Sequence, residues 1–149
     1  LAISGNKIVV STDPYLYILN SDSGSTISKT SITSIFKPIL TKNNIFLITK
    51  DNLLVCLDFN SGKPIYSLNI GEEIANYLNN KKKFINVKYF SILNGNLFVF
   101  LSNSYFVEFS VAGKIINVGK LPKKIESLPI FAENTIIYTN KKNQLIISN

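Results

Sequence analysis

Few residues in this sequence could make or break bonds, and their spacing limits what they could do. Glu72-Glu73 is the one adjacent carboxylate pair. General acid–base catalysis needs two carboxylates facing one substrate across several ångströms, which sequence neighbours do poorly. The pair reads instead as the acidic start of a helix. Asp51-Asn52 and Asp58-x-Asn60 offer oxygen ligands but lack the calcium-loop pattern and its closing glutamate, and Asp58 is expected to accept backbone N–H bonds in its own turn. There is no histidine, which removes imidazole-based triads and histidine metal sites. The single cysteine, Cys56, lies in the apolar run Leu53-Leu54-Val55-Cys56-Leu57, where a thiol acts as a small buried hydrophobe without a disulfide partner in the chain. The seven glycines are scattered and build no phosphate-cradling loop. No catalytic, cofactor-binding or metal-ligating residue is assigned, and no cofactor is expected.

Binding is better supplied. The net charge of +7 comes from sixteen lysines and no arginine. Such a balance suits an anionic surface, yet Arg is the residue that forks onto phosphate and guanine. Together with abundant Asn and Ile, the lysines read as a usage bias on a solvated surface, and no nucleic-acid partner is expected. Tyr15, Tyr77, Tyr89 and Tyr105 suit either a contact surface or packing between sheets. Tyr77 with Lys81, Lys82 and Lys83 are the candidate partner-contacting residues.

The elements that position these residues follow from internal repetition. Asn6 to Thr12, Leu16 to Asn20 and the turn ending at Gly24 are matched by Asn44 to Lys50, Leu53 to Asp58 and the turn ending at Gly62. A third set runs Asn96 to Leu101, Tyr105 to Ser110 and a turn at Gly113; a fourth begins at Asn134 and stops after Gln144 to Ser148. Each unit reads as strand, tight turn, strand, glycine turn, strand, with residues that fit a half-buried pleated surface. Short apolar pieces precede the units at Leu1-Ala2-Ile3, Pro38-Ile39-Leu40, Phe90 to Leu93 and Pro129-Ile130-Phe131, adding an innermost strand. Gly24 and Gly62 are 38 residues apart, as are Asn96 and Asn134. Four-stranded units of about forty residues predict an all-β propeller whose sheets stack to cover their apolar faces.

The expected organisation is one partial propeller domain over 1–149 with blades at 1–34, 35–71, 85–122 and 127–149, the last without its outer strand. Residues 72–84 break the period. Ile74, Tyr77 and Leu78 at helical spacing, acidic residues before them and Lys81 to Lys83 after them, predict a short inserted helix with its apolar stripe docked on the sheet. The longest apolar runs are about five residues, far short of the roughly twenty of a spanning helix. Because the pattern is under way at Leu1, further repeats are expected upstream.

Pro38-Ile39-Leu40 through Gly62-Lys63-Pro64-Ile65-Tyr66 resembles the pyrroloquinoline-quinone-type propeller repeat. Tyr66 stands where that family has a docking tryptophan, and Ser28 and Asn117 stand there in neighbouring units. The stretch from Leu128 to Asn149, and the long connector before the penultimate blade, resemble the BamB-type outer-membrane protein assembly lipoproteins. That resemblance implies the C-terminal half of an eight-bladed, non-catalytic scaffold. It also implies a periplasmic place on the inner face of the outer membrane, a lipid anchor outside this chain and a partner in the assembly machine. Recognition would use rim loops or an exposed strand edge. Quinoprotein dehydrogenases share the repeat, but their tryptophan- and arginine-containing site has no counterpart here. An oxidoreductase with its active residues elsewhere, and a polysaccharide-binding propeller, are the alternatives. An incomplete ring is expected to self-associate.

Overall fold

The computed structural model describes residues 1–81, 85–132 and 135–148. The Ile-, Val-, Phe- and Tyr-rich runs form antiparallel strands in chain order. The first sheet is β1 (Ala2–Ser4), β2 (Lys7–Ser11), β3 (Leu16–Asn20) and β4 (Thr26–Thr30). The second is β5 (Ile39–Leu40), β6 (Asn44–Ile48), β7 (Leu53–Asp58) and β8 (Pro64–Asn69). Helix α1 (Ile70–Tyr77) follows, then a third sheet of β9 (Val87–Leu93), β10 (Asn96–Leu101), β11 (Tyr105–Ser110) and β12 (Ile115–Lys120). The last sheet has three strands among the described residues, β13 (Ile130–Ala132), β14 (Thr135–Thr139) and β15 (Leu145–Ser148).

Local chemistry repeats with the strands. The turn after β7 is built by Asp58, whose Oδ1 accepts the amides of Asn60 at 3.1 Å and Ser61 at 2.7 Å and the Ser61 hydroxyl at 2.7 Å. Asn20 does the same after β3, accepting from the amides of Asp22 and Ser23 at 2.9 Å each. These side-chain acceptors take the place of a ladder partner as the chain reverses. The tight turn between the second and third strands uses left-handed Asn52, Ser104 and Asn143 in three sheets (φ +59°, +71° and +56°), and Asn tolerates that region better than most side chains. In all three four-stranded sheets the last pairing carries a register shift, after Ile18, Cys56 and Glu108. Their partners are Ser28, Tyr66 and Asn117, the positions aligned from sequence. In the last sheet Ala132 pairs with Thr135 as Leu93 pairs with Asn96, so Thr135 is the counterpart of Asn96. Asn134 itself lies outside the described residues.

The chain forms two compact units, Leu1–Ile70 and Gly71–Asn149. In the first, Val9, Leu16 and Ile18 of the first sheet form one cluster with Ile45, Leu47, Val55, Leu57 and Phe59 of the second. In the other, Phe98 and Phe100 of the third sheet pack with Tyr138 of the last and with Leu121 and Ile125 between them. Phe106, Phe131, Ile136 and Ile146 are partly buried against this cluster. Each buried side chain of this size contributes roughly 1.5–3 kcal/mol, so stacking of sheet faces, not pairing within one sheet, dominates each unit.

Helix α1 starts at Ile70, directly after β8, two residues before the expected start. The stripe is docked at its beginning and not at its end: Ile70 and Ala75 are buried, while Tyr77 and Leu78, expected in the docked stripe, are exposed. Glu72 and Glu73 do lie in the first turn, but no base lies in the last. Left-handed Asn79 (φ +54°) closes the helix. The Asn80 amide bonds the Ala75 carbonyl at 2.9 Å and the Asn79 amide bonds that of Asn76 at 3.2 Å, the two bonds of a Schellman ending. Among the described residues no helix is long and apolar enough to cross a membrane.

Candidate partner-binding surface

The residues singled out for chemistry do not converge. Asp58 serves its turn, Asp51 is exposed in the β6–β7 turn, Glu72 and Glu73 sit on α1, and Cys56 is buried on β7. Burial and the nearby Asp58 carboxylate push the Cys56 thiol up to about 11, away from the thiolate a nucleophile needs. Among the described residues no group of three or more His, Cys, Asp or Glu is arranged to hold a metal ion.

Of the partner-contacting candidates, Tyr77 is half exposed, and its hydroxyl donates to the Ile116 carbonyl of β12 at 3.2 Å, fixing its ring beside the third sheet. Lys81 is exposed after the helix; Lys82 and Lys83 lie outside the described residues. Beside α1 a groove of about 270 Å³ is bounded by Ile74, Leu78, Ile85, Leu101, Tyr105 and Val118. The other tyrosines have separate settings. Lys29 lies over Tyr15 at 3.8 Å and Tyr17 at 5.6 Å, and Lys120 lies 5.8 Å from the Tyr105 ring centre. Tyr89 donates to the Glu126 carbonyl. The Glu126 side chain pairs with Lys88, and that hydrogen bond, ahead of the charges of Lys141 and Lys124, holds its carboxyl below the usual range.

A larger feature was not singled out from the sequence. Between the third and last sheets lies a cleft of about 440 Å³. Its apolar wall is Phe98, Phe106 and Phe131, with Phe98–Phe131 ring centres 5.2 Å apart and Phe98–Phe106 at 6.1 Å. Glu108, Asn117 and Lys120 line the polar side, and Glu108 accepts from the Asn96 side-chain amide at 2.7 Å. Ser148 of β15 closes one end. One part of it had a signal, Asn117 at the position aligned with Ser28 and Tyr66; the phenylalanines that wall it read only as strand residues.

No protein-family model matches this sequence, and no curated protein matches it by sequence. Solved structures do match. BamB from Moraxella catarrhalis superposes with a TM-score of 0.64 at 18% identity, over 99% of this chain and 43% of that one. The computationally designed Ika4 protein superposes with a TM-score of 0.71 at 10% identity, over 98% of this chain and 86% of that one. Hsv2p from Kluyveromyces lactis gives 0.58 at 17% identity, over 97% of this chain and 42% of that one. This chain therefore spans less than half the length of the BamB it resembles. The fold is that of a propeller-like fragment, built among the described residues from four consecutive antiparallel sheets and one helix.

Proposed function

We propose that this chain is part of a non-catalytic propeller scaffold that binds a protein partner during assembly of outer-membrane β-barrel proteins, on the periplasmic side of that membrane. The observation that carries the reading is the likeness to BamB over 99% of the chain. The dispersal of the carboxylates and the buried, protonated Cys56 support a binding role over a catalytic one. So does the combination of apolar groove and aromatic cleft in one unit, since apolar grooves and aromatic pockets are common peptide-recognition devices. On this reading the chain supplies about half of a larger propeller whose remaining sheets and lipid anchor lie elsewhere. Crosslinking followed by affinity purification from membranes of the source organism tests it. Recovery of an assembly-machine subunit is the expected result, and repeated recovery of none would overturn it.

A further inference from the structure

We infer that Lys123, Lys124, Lys141 and Lys142 form one cationic site that docks the protein on an anionic membrane surface, through the phosphates of its lipid headgroups. The two lysine pairs are far apart in sequence, yet with Asn140 and Gln144 they line one shallow depression of about 230 Å³ in the second unit. All four lysines are exposed. Buried polar groups hold the backbone that carries them. The Tyr138 hydroxyl, on a side chain 2% exposed, donates to the Lys123 carbonyl at 2.9 Å and accepts the Lys123 amide at 3.2 Å. Asn140, 7% exposed, accepts the amides of Lys142 at 2.9 Å and Gln144 at 3.1 Å, and donates to the Gln144 side chain at 2.9 Å. Between these two anchors, the Thr139 carbonyl accepts the Glu126 amide at 2.8 Å, which ties the segment before β13 to the end of β14.

Positive charge is left over at this site. Among the described residues none of the four ammonium groups has an ion-pair partner. Glu126 is near enough for Lys141 and Lys124 to help depress its carboxyl, but Lys88 takes its Oε2 and its Oε1 is buried. A usage bias toward lysine supplies the residues but not their convergence, since like charges held together repel unless an anion answers them. The lining decides what that anion is. It has no aromatic or aliphatic wall, and so lacks the anchoring pocket that a peptide side chain fills. The Asn140 and Gln144 side chains are engaged with each other, which leaves no rigid fork to orient a single anion. What remains is four point charges on flexible stems, suited to a fluid array of phosphates. Clusters of four or more lysines are drawn to anionic bilayers, each lysine adding roughly fivefold to the affinity within a Debye length of the surface. No protein partner enters this inference, so it stands or falls apart from the assembly reading.

Flotation of the protein with lipid vesicles through a density gradient tests it. Vesicles of phosphatidylcholine alone are compared with vesicles holding about one-third phosphatidylglycerol, in about 0.1 M salt. Binding is expected to the mixed vesicles only, and is expected to disappear in about 1 M salt. Lys123→Gln with Lys124→Gln, and Lys141→Gln with Lys142→Gln, should each weaken it about 25-fold. Because all four side chains are already in water, urea midpoints should not move. Lys42→Gln with Lys50→Gln removes the same charge from exposed positions of the first unit and should change binding by less than about threefold. Equal losses from all three pairs would mean that net charge alone is at work, and would overturn the site. Absence of the folded protein from the mixed-vesicle fraction would overturn it too. A soluble oligoglutamate peptide serves as the competitor: failure to displace the protein from the vesicles at millimolar concentration supports the lipid surface. Displacement at micromolar concentration would make the ligand an acidic polypeptide and overturn the inference.

Discussion

Gly24 and Gly62 share a backbone conformation, φ +70° in both, and differ only in surroundings. A Cβ on Gly24 meets nothing within 4 Å, whereas on Gly62 it meets Ser28 Oγ at 2.3 Å and Ser28 Cβ at 2.9 Å. Gly24→Ala should therefore cost only the left-handed penalty, about 1–2 kcal/mol, while Gly62→Ala adds overpacking for about 2–5 kcal/mol. Urea midpoints compare the two, and equal losses would show that the turn of the second sheet does not lock onto the first. Asp58 makes a pH prediction. Its carboxyl is held below its ordinary 3.8 by hydrogen bonds from the Ser61 hydroxyl and amide and the Asn60 amide. A depressed folded value means the stabilisation is full above about 3.8 and fades as pH falls through the lower folded value. Asp58→Asn keeps the Oδ1 acceptor but neither carries the charge nor titrates, so it should be less stable than wild type at neutral pH and lose less stability as pH falls below that point. Glu126, depressed chiefly by the Lys88 hydrogen bond, keeps some slope in both proteins. The role of Asp58 was readable from sequence because an Asx turn is local. The Lys29–Tyr15 stack and the Lys88–Glu126 pair join residues that no local rule connects.

At the scale of elements, the end of α1 is the sharpest case. Asn79 holds φ +54° and its neighbour's amide closes on Ala75. Asn79→Gly should be neutral or stabilising, whereas Asn79→Ala should cost about 1 kcal/mol because it puts a plain Cβ in the left-handed region. Urea unfolding gives the order of the two, and amide exchange at Asn80 tests the mechanism, since only the Ala variant should lose protection there. Identical behaviour of both variants would remove the cap as the reason the helix stops. The strands were legible because four copies of one pattern reinforce each other; a single unit would have been ambiguous. The helix was legible as a helix but misplaced. Ile70 reads equally well as the last residue of a strand, and Lys81 invites extension of the helix, while the cap that stops it depends on one Asn among three near the helix end. The cleft was not legible, since the space left between two packed sheets depends on side-chain fit that no local pattern reports.

At the scale of the whole molecule, sheet faces need partners, and one face of the last sheet lacks one among the described residues. Phe131, Ile136, Tyr138 and Ile146 turn inward to the third sheet. On the opposite face Ile130 pairs with Ile137 and Ile137 with Ile147, an apolar row across all three strands, with Leu145 beside it. Ile130, Leu145 and Ile147 are 67%, 65% and 63% exposed, whereas Phe46 and Cys56, on the matching face of the second sheet, are 0% and 1% exposed. Composition is similar; coverage is not. A contiguous apolar patch of this kind promotes association, and its natural cover is another sheet of the same design. This chain should therefore self-associate at micromolar concentration, seen as a mass in light scattering that rises with concentration. The pair Ile130→Lys and Ile147→Lys replaces side chains already in water, so it should leave the fold and its urea midpoint nearly intact while reducing the scattering mass to that of one chain. A wild-type chain that stays monomeric across that range would mean the row tolerates water, and stacking of sheets would then lose its standing as the main force in this architecture. If the double variant associates as strongly as wild type, the contact lies elsewhere, with the half-buried outer face of the first sheet, around Ile8, Val10 and Tyr17, the next place to substitute.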